Sequence, residues 1–535
     1  GLVGSEMCIR DSGIIQSAKK AKLAMGGYQM KIERILIEDQ MAPIGLDEKK
    51  PVFSWLLTAE EGEQNLMQSA CRIVVRTGED TVWDSGKMET GVSTGIGYEG
   101  EALQPCTKYE VKAEVWDNHG GKAEAESSFE TGLMDSLYAA WEGAEWIGAP
   151  HATVCAENRG VFTIESEFRM EGGKGEAGIV FGANDFRLND HTKNELGMEG
   201  ENYIRYVVCL EDGDARLEIY RVGYAPEDTA EKLFAVTKLV NWKEKTQEIL
   251  TPENADAFHK LTVEVDGNVA YAYVDGILVD AIEEHGFFGT KVSGRQLNPR
   301  GNNDVLPYPR LNEIGFYAGK GTTGYFKNLT VRNVRKPSAE IVRETPEGRL
   351  DGGKSIFADQ IPVENGYFKV EDSQITADPS HHSIPMLRSC ISCQKEKKLA
   401  SARLYITARG IYDCRINGQE ITEDLLRPGL TQYDHRINYQ TYDITGLMKP
   451  GRNGIGVTLA SGWWSEAQTF VVKNFNYFGD KESLLAKVVM KYKDGSREVF
   501  GTNTEDWKYF GEGPYLFSSC LLYTSPSPRD LSTSR

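Results

Sequence analysis

The sequence predicts an all-β fold of three β-sandwich domains in series, and three observations predict it. Short runs in which apolar and polar residues strictly alternate recur along the chain, the period of a strand with one buried face. Asp-Gly and Asn-Gly pairs separate several of these runs, and both residue types tolerate the positive φ that a tight hairpin needs. Long helical periodicity and the βαβ rhythm of a nucleotide-binding α/β fold are absent. At roughly 100 to 200 residues per domain, 535 residues correspond to about three or four domains. The 55 glycines, about a tenth of the chain, suit turn-rich β structure, while 40% apolar content suits packed cores.

Taken in order, residues 1–29 open with GLVGSEMCIRDS, which matches its neighbours in neither composition nor periodicity. It resembles translated sequencing-library adapter, as does the tail CLLYTSPSPRDLSTSR at 520–535, and such segments are set aside before fold reasoning. Met30 is then the expected start. Residues 30–140 are the first sandwich: Cys71, Ile73 and Val75 alternate with charged neighbours, as do Tyr109, Val111, Ala113 and Val115. Residues 141–335 are the second. Leu261, Val263 and Val265 lead through Asp266-Gly267 to Val269, Tyr271 and Tyr273, and through Asp275-Gly276 to Ile277 and Val279, an antiparallel meander. Glu313–Asn333 reads as two closing strands joined by a glycine-rich turn. Residues 336–519 are the third sandwich. They open with a proline- and charge-rich linker, KPSAEIVRETPEGRLDGGK, and continue into Leu404 and Ile406, Tyr412, Cys414 and Ile416, the Asn417-Gly418 turn, and Val488, Met490 and Tyr492 before Asp494-Gly495.

Composition narrows the function. A net charge of −19 removes the electrostatic basis for nucleic-acid binding, which needs a basic surface. No apolar run approaches the ~18 residues of a membrane span, and no signal-type apolar segment follows Met30, so no membrane partner and a cytoplasmic location are expected. Without Cys8 and Cys520, seven scattered cysteines remain, an odd number that indicates no disulfide framework.

The third segment carries a family resemblance. ASARLYITARGIYDCRINGQEI (400–421), LRPGLTQYDHRINYQTYDITGLM (426–448) and GRNGIGVTLASGWW (451–464) resemble the N-terminal β-sandwich region of bacterial α-L-rhamnosidases of glycoside hydrolase family 78. VWDSGKMETGVSTGIGYEGEALQPCTKYEVKAEVWDNHG (82–120) and FETGLM (129–134) are similar to the fibronectin III-like domain that opens those enzymes. The intervening segment resembles concanavalin/laminin-G-like sandwiches and sits as an insertion; the third is jelly-roll or galactose-binding-like. The resemblance implies hydrolysis of terminal α-L-rhamnosyl groups with inversion, by two carboxyl groups roughly 6.5–9.5 Å apart. In that family they belong to a downstream (α/α)6 barrel. The resemblance therefore assigns no catalytic residue here and implies a non-catalytic part that supports the barrel, contacts rhamnose-containing glycans and uses no organic cofactor. The alternative is a stand-alone multi-domain carbohydrate-binding protein.

The candidate contact patch is Trp463 and Trp464 followed by Asn474, Asn476, Tyr477 and Asp480. Sugar rings stack on aromatic faces, and their hydroxyls need amide and carboxylate partners. Asp480 with Asn474 or Asn476 also offers hard oxygen ligands for calcium. The competing reading makes the tryptophans anchors against the barrel, since Trp is enriched at interfaces too. Asn184, Asp185, Asn189 and Asp190 around Phe186 and His191 form a second polar loop, which ordinary turn chemistry explains equally well. Cys390-x-x-Cys393 has half-zinc-site spacing without a second pair and reads as two strand cysteines. Trp83-Asp84 and Trp116-Asp117 read as core tryptophans beside turn aspartates, not as propeller repeats.

Overall fold

The computed structural model describes residues 30–59, 65–149, 161–184, 201–224, 228–282 (apart from 242, 245, 252 and 267–268), 311–380 (apart from 335 and 351), 383–465, 478–479 and 481–515. Among these residues strands dominate, and the helices are single turns of at most four residues, such as Gly462–Ser465. None is long and apolar enough to cross a membrane.

The chain divides into two compact units. The first holds the residues up to Gly143 together with Ser401–Tyr405 and Thr441–Asp443. A three-stranded sheet of Met30–Ile37, Val52–Ala59 and Ile96–Gly97 shares one core with a four-stranded sheet ordered Asp80–Asp84, Gln68–Thr77, Lys108–Asp117, Lys122–Glu130. The alternation expected from the sequence sets the burial: Cys71, Ile73, Val75, Tyr109, Val111 and Val115 are buried against Phe53 and Trp55, while Arg76 and Glu110 are exposed. Trp83 stacks on Phe53 at 5.8 Å, and the buried Asp117 accepts from the amides of His119 and Gly121 at 2.8 Å. Trp83 thus packs against the core beside Asp84, which Arg72 holds, whereas Trp116, read as a core tryptophan, is half-buried on the outward side of its strand under Lys87 and Lys122, because Val115 takes the inward position. Arg403 donates to both carboxylate oxygens of Glu130, at 2.7 and 2.6 Å, and pairs with Asp443 at 2.7 Å.

The second unit contains two β systems. In the first, nine strands follow one path from Ala235–Lys238 through Asp214–Val222, Tyr203–Glu211, Gly175–Ala183, Glu313–Phe326, Val161–Met170, His259–Asp266 and Val269–Val274 to Ile277–Ile282. Residues from both ends of the path, such as Leu217, Ile219, Val263 and Val274, lie in one apolar cluster, so the sheet folds back over itself as a sandwich. The pivot is Glu313–Phe326. Its first residues pair with Gly175–Ala183, and Gly324–Phe326 pair with Phe168–Met170.

Three local expectations change here. Glu313–Phe326 is one strand with a register shift between Ala318 and Thr323, where a glycine-rich turn was expected; the chain turns after Phe326, before Leu329–Asn333. In the meander, the inward residues after Asp266 are Ala270, Ala272 and Val274, and Tyr271 and Tyr273 are only half-buried. The register pairs Val263 with Ala272 and Val265 with Ala270, which puts the alanines on the core face with the valines. The segment from Lys336, read as a linker opening the third sandwich, instead supplies Lys336–Thr345, paired with Leu329–Asn333, and is followed by Tyr367–Ala377, paired along Glu313–Phe326. The apolar residues Ile341, Val342, Phe357, Phe368 and Val370 join the same core, and this outweighs the polar composition of the stretch.

The remaining system is the carboxy-terminal sandwich. Its five-stranded sheet has the order Gln419–Glu420, Ile411–Ile416, Gly451–Ala460, Met386–Cys393, Lys508–Phe510. In a second sheet Ser483–Tyr492 pairs with Arg497–Gly501 and, at its start, with Ile147–Gly148. Residues 147–148, assigned from sequence to the second sandwich, therefore serve this one, and the folded-over sheet is an insertion within it. Tight turns follow the dipeptides: Asp275-Gly276 and Asn417-Gly418 all have positive φ, the paired left-handed conformation of a type I′ hairpin. The 266–267 turn falls partly outside the described residues.

Candidate functional site

Gly462 sets the geometry of the predicted aromatic patch. Its φ is +50°, and a Cβ there would lie 2.5 Å from the Ile411 side chain, so only glycine lets the chain leave Gly451–Ala460 and enter the helical turn Gly462–Ser465. The buried Glu482 fastens that turn from below, accepting from the hydroxyls of Ser461 at 2.9 Å and Ser465 at 2.5 Å.

Trp464, projecting from this turn, is locked by its neighbours. Its indole N–H donates to the Lys481 carbonyl at 3.0 Å, its ring stacks on Phe478 at 6.3 Å, and Tyr433 meets it edge-on at 5.9 Å. The Gly479 backbone lies so close that a Cβ would approach the indole to 2.4 Å. The Arg409 guanidinium lies 5.4 Å from the Trp464 ring centre and 4.5 Å from that of Trp146, a cation–π arrangement. Burial pushes the Tyr433 phenol up to about 12, so it stays protonated and donates to the Gly429 carbonyl at 2.8 Å. Burial lowers the pKa of Arg409. Trp463, on the same turn, is half-buried.

The structure therefore places Trp463 and Trp464 side by side and spends the Trp464 ring on an aromatic and cationic cluster. Asn474, Asn476, Tyr477 and Asp480 lie outside the described residues, as do Asp185, Phe186, Asn189, Asp190 and His191. Asn184 is described. Its φ is +52°, and its side-chain amide donates to Glu313 at 2.8 Å. Sequence reasoning missed Trp146, Arg409, Tyr433 and Glu482, which come from four separate segments. Only the Ser-x-x-x-Ser spacing around the two tryptophans hinted at a fastened turn. None of the six described cysteines forms a disulfide among the described residues. Cys390 is half-buried on one face of its strand and Cys393 is buried on the other, within 3.9 Å of the Tyr492 hydroxyl, so the pair cannot share an ion. No group of three metal-ligating side chains occurs among the described residues.

Two family models match the chain: a Rha78A-like N-terminal immunoglobulin domain over residues 32–135 and an α-L-rhamnosidase N-terminal domain over residues 397–525. An α-L-rhamnosidase of Streptomyces avermitilis is 26% identical over 493 residues, covering 91% of this chain and 41% of the relative. One from Formosa agariphila is 39% identical over 122 residues, 22% of this chain and 13% of the relative. Among solved structures, the Streptomyces avermitilis α-L-rhamnosidase complexed with L-rhamnose aligns over 92% of this chain and 42% of its own, at 20% identity and a TM-score of 0.49. The chain spans about two fifths of the length of the Streptomyces relative and less of the Formosa one. In this order, at 32–135 and 397–525, the chain carries two domains that match amino-terminal domains of α-L-rhamnosidases.

Proposed function

We propose that the chain is the non-catalytic amino-terminal part of an enzyme that hydrolyses terminal α-L-rhamnosyl groups with inversion. Its sandwiches would support a catalytic (α/α)6 barrel and contact rhamnose-containing glycans. The observation that carries this reading is the order of the two matched domains, at 32–135 and 397–525, on a chain whose regular secondary structure, among the described residues, is almost wholly strand. Trp463 suits either contact: its half-buried indole sits on a turn stiffened by Glu482, Ser461 and Ser465, and a rigid aromatic serves a sugar face or a protein interface equally.

Activity measurements test the proposal. The chain as it stands should leave an aryl α-L-rhamnoside intact, and joining it to the carboxy-terminal portion of a relative should give rhamnose release with inverted anomeric configuration. Turnover by the chain alone would overturn the non-catalytic assignment.

A further inference from the structure

The outer face of the five-stranded sheet carries an arrangement that packing does not explain. Register places Lys508 opposite Arg388, Arg388 opposite Gly456, and Gly456 opposite Arg415, so one row across four adjacent strands reads Lys, Arg, Gly, Arg. Gly454 lies two residues before Gly456 on the same face, with Arg452 beyond it. Ile455 and Val457 point inward and are buried. A cleft of about 750 Å³ lies over the two glycines, lined by Arg388, Arg415, Arg452 and Lys508 and by one carboxylate, Asp506.

Two features of this cleft are costly in a bare sheet. Like charges directly opposite each other on neighbouring strands repel. Lys508 and Arg388 stand so, both exposed, and neither has an ion-pair partner among the described residues. Arg452 donates to the Cys390 sulfur at 3.3 Å, not to a carboxylate. Glycine in a strand interior weakens it and often marks a place where another group comes close. Neither Gly454 nor Gly456 has a positive φ, and a Cβ on either would meet nothing within 4 Å. Neither backbone geometry nor packing demands these glycines. What they provide is open floor between cations, in a chain whose net charge is −19.

We propose that this face binds an anionic glycan, whose uronate carboxylates pair with Arg388 and Lys508 and, across the floor formed by Gly454 and Gly456, with Arg415, whose guanidinium also pairs with Glu420 at 2.6 Å and Asp413 at 3.5 Å. Arg388 and Arg415 are two strand spacings apart, about 10 Å, close to the length of roughly two sugar rings. Bidentate carboxylate pairing is the geometry guanidinium favours. On the adjoining row, Phe510 is half-exposed opposite Met386, an apolar ledge for a sugar ring face beside the charged row. The overall acidity argues against nucleic acid as the anion. The choice of a glycan over an acidic polypeptide rests on the proposed function; the cleft and its charge do not.

The test is calorimetric titration of the whole chain with tetragalacturonate at low ionic strength, with rhamnose, a neutral oligosaccharide of equal length and polyglutamate as comparisons. Tetragalacturonate should bind, more weakly as salt rises. Arg388→Ser and Gly456→Leu should each weaken it about tenfold or more while melting like the parent chain, since one removes a charge and the other fills an empty floor. Absent binding, equal binding by the variants, or equal binding of the neutral oligosaccharide would overturn the proposal, and tighter binding of polyglutamate would assign the cleft to an acidic polypeptide instead. Aryl rhamnoside turnover has no part in this readout, so failure here and failure of the proposed function are distinguishable.

Discussion

Arg403 shows how much one side chain can carry. Its guanidinium is mostly buried, pairs bidentately with an equally sheltered Glu130 and also reaches Asp443. Burial alone would lower its pKa, but the two carboxylates outweigh that and raise it. Removing one partner of a sheltered pair strands the other charge, which costs about 3–5 kcal/mol. Arg403→Met should therefore lower the urea stability of the first unit by about 3 kcal/mol, and the double variant with Glu130→Leu should recover part of the loss. Equal loss in both variants would show that the charge pairing is not the source. Little of this was visible beforehand, because Arg403 and Glu130 occur in separate strand-like runs and nothing local marks either as a partner of the other. The cation row over Gly456 was hidden for the same reason: each cation stands on a different strand. The signal it did leave was the run Arg452-Asn453-Gly454-Ile455-Gly456-Val457, in which every second residue is apolar or buried and the outward ones include two glycines.

Among the elements, the hairpin of His259–Asp266 and Val269–Val274 and the turn that follows carry a pH-dependent contact. His259 is buried, its Nδ1 lies 2.8 Å from Asp275 and its Nε2 2.9 Å from the Asn254 carbonyl. Burial lowers the pKa of the ring, but the hydrogen bonds to Asp275 and Asn254 outweigh it, and the net shift is upward. A proton held more tightly in the folded chain stabilises it fully below the unfolded value of about 6.5, and that contribution is lost as pH rises through the higher folded value. Asp275 is shifted downward despite its own burial, by His259 and the Lys260 amide, so its contribution is lost in acid. The difference in urea midpoint between the parent and His259→Gln should be greatest between these limits and shrink as pH is raised above about 6.5. A difference that stays constant with pH would reject the protonated pair. Hairpins of this kind were the legible part of the sequence, because alternation and Asp-Gly or Asn-Gly turns are local. The facing of Tyr271 and Tyr273 was not, since inward and outward sets differ by one residue and only pairing with Val263 and Val265 decides between them. Asp494-Gly495 differs from the other turns: only its glycine has positive φ, while the Asp494 carboxylate, held near 2 chiefly by Ser496, accepts from that residue's amide and hydroxyl.

For the molecule as a whole, the three-sandwich organisation could be read from the sequence, but its seams could not. Composition marks a linker at Lys336 where the structure has strands, and nothing at Ile147 hints that two residues there complete a sheet formed much later in the chain. The error at Ile147 arises from pairing over a long separation, which leaves no periodic trace; at Lys336 the pairing with Leu329–Asn333 is local, and buried Ile341 and Val342 outweigh the polar composition. The first unit likewise includes Ser401–Tyr405 and Thr441–Asp443, so residues 30–143 expressed alone lack Arg403 and leave Glu130 unpaired. That piece should melt below the corresponding transition of the whole chain, a difference that circular dichroism would record, and an equal melting temperature would show that the added segments contribute nothing.

The anchoring of Ile147–Gly148 also imposes a timetable on biosynthesis. Thr502 bonds the Glu145 carbonyl through its hydroxyl across 357 residues, so this short edge cannot dock until residue 502 has left the ribosome. At about 5–20 residues per second that is a wait on the order of 20 to 70 seconds. During it the nascent carboxy-terminal sandwich is missing one margin while the inserted lobe is already able to fold, which makes that lobe a spacer that matures before its own host.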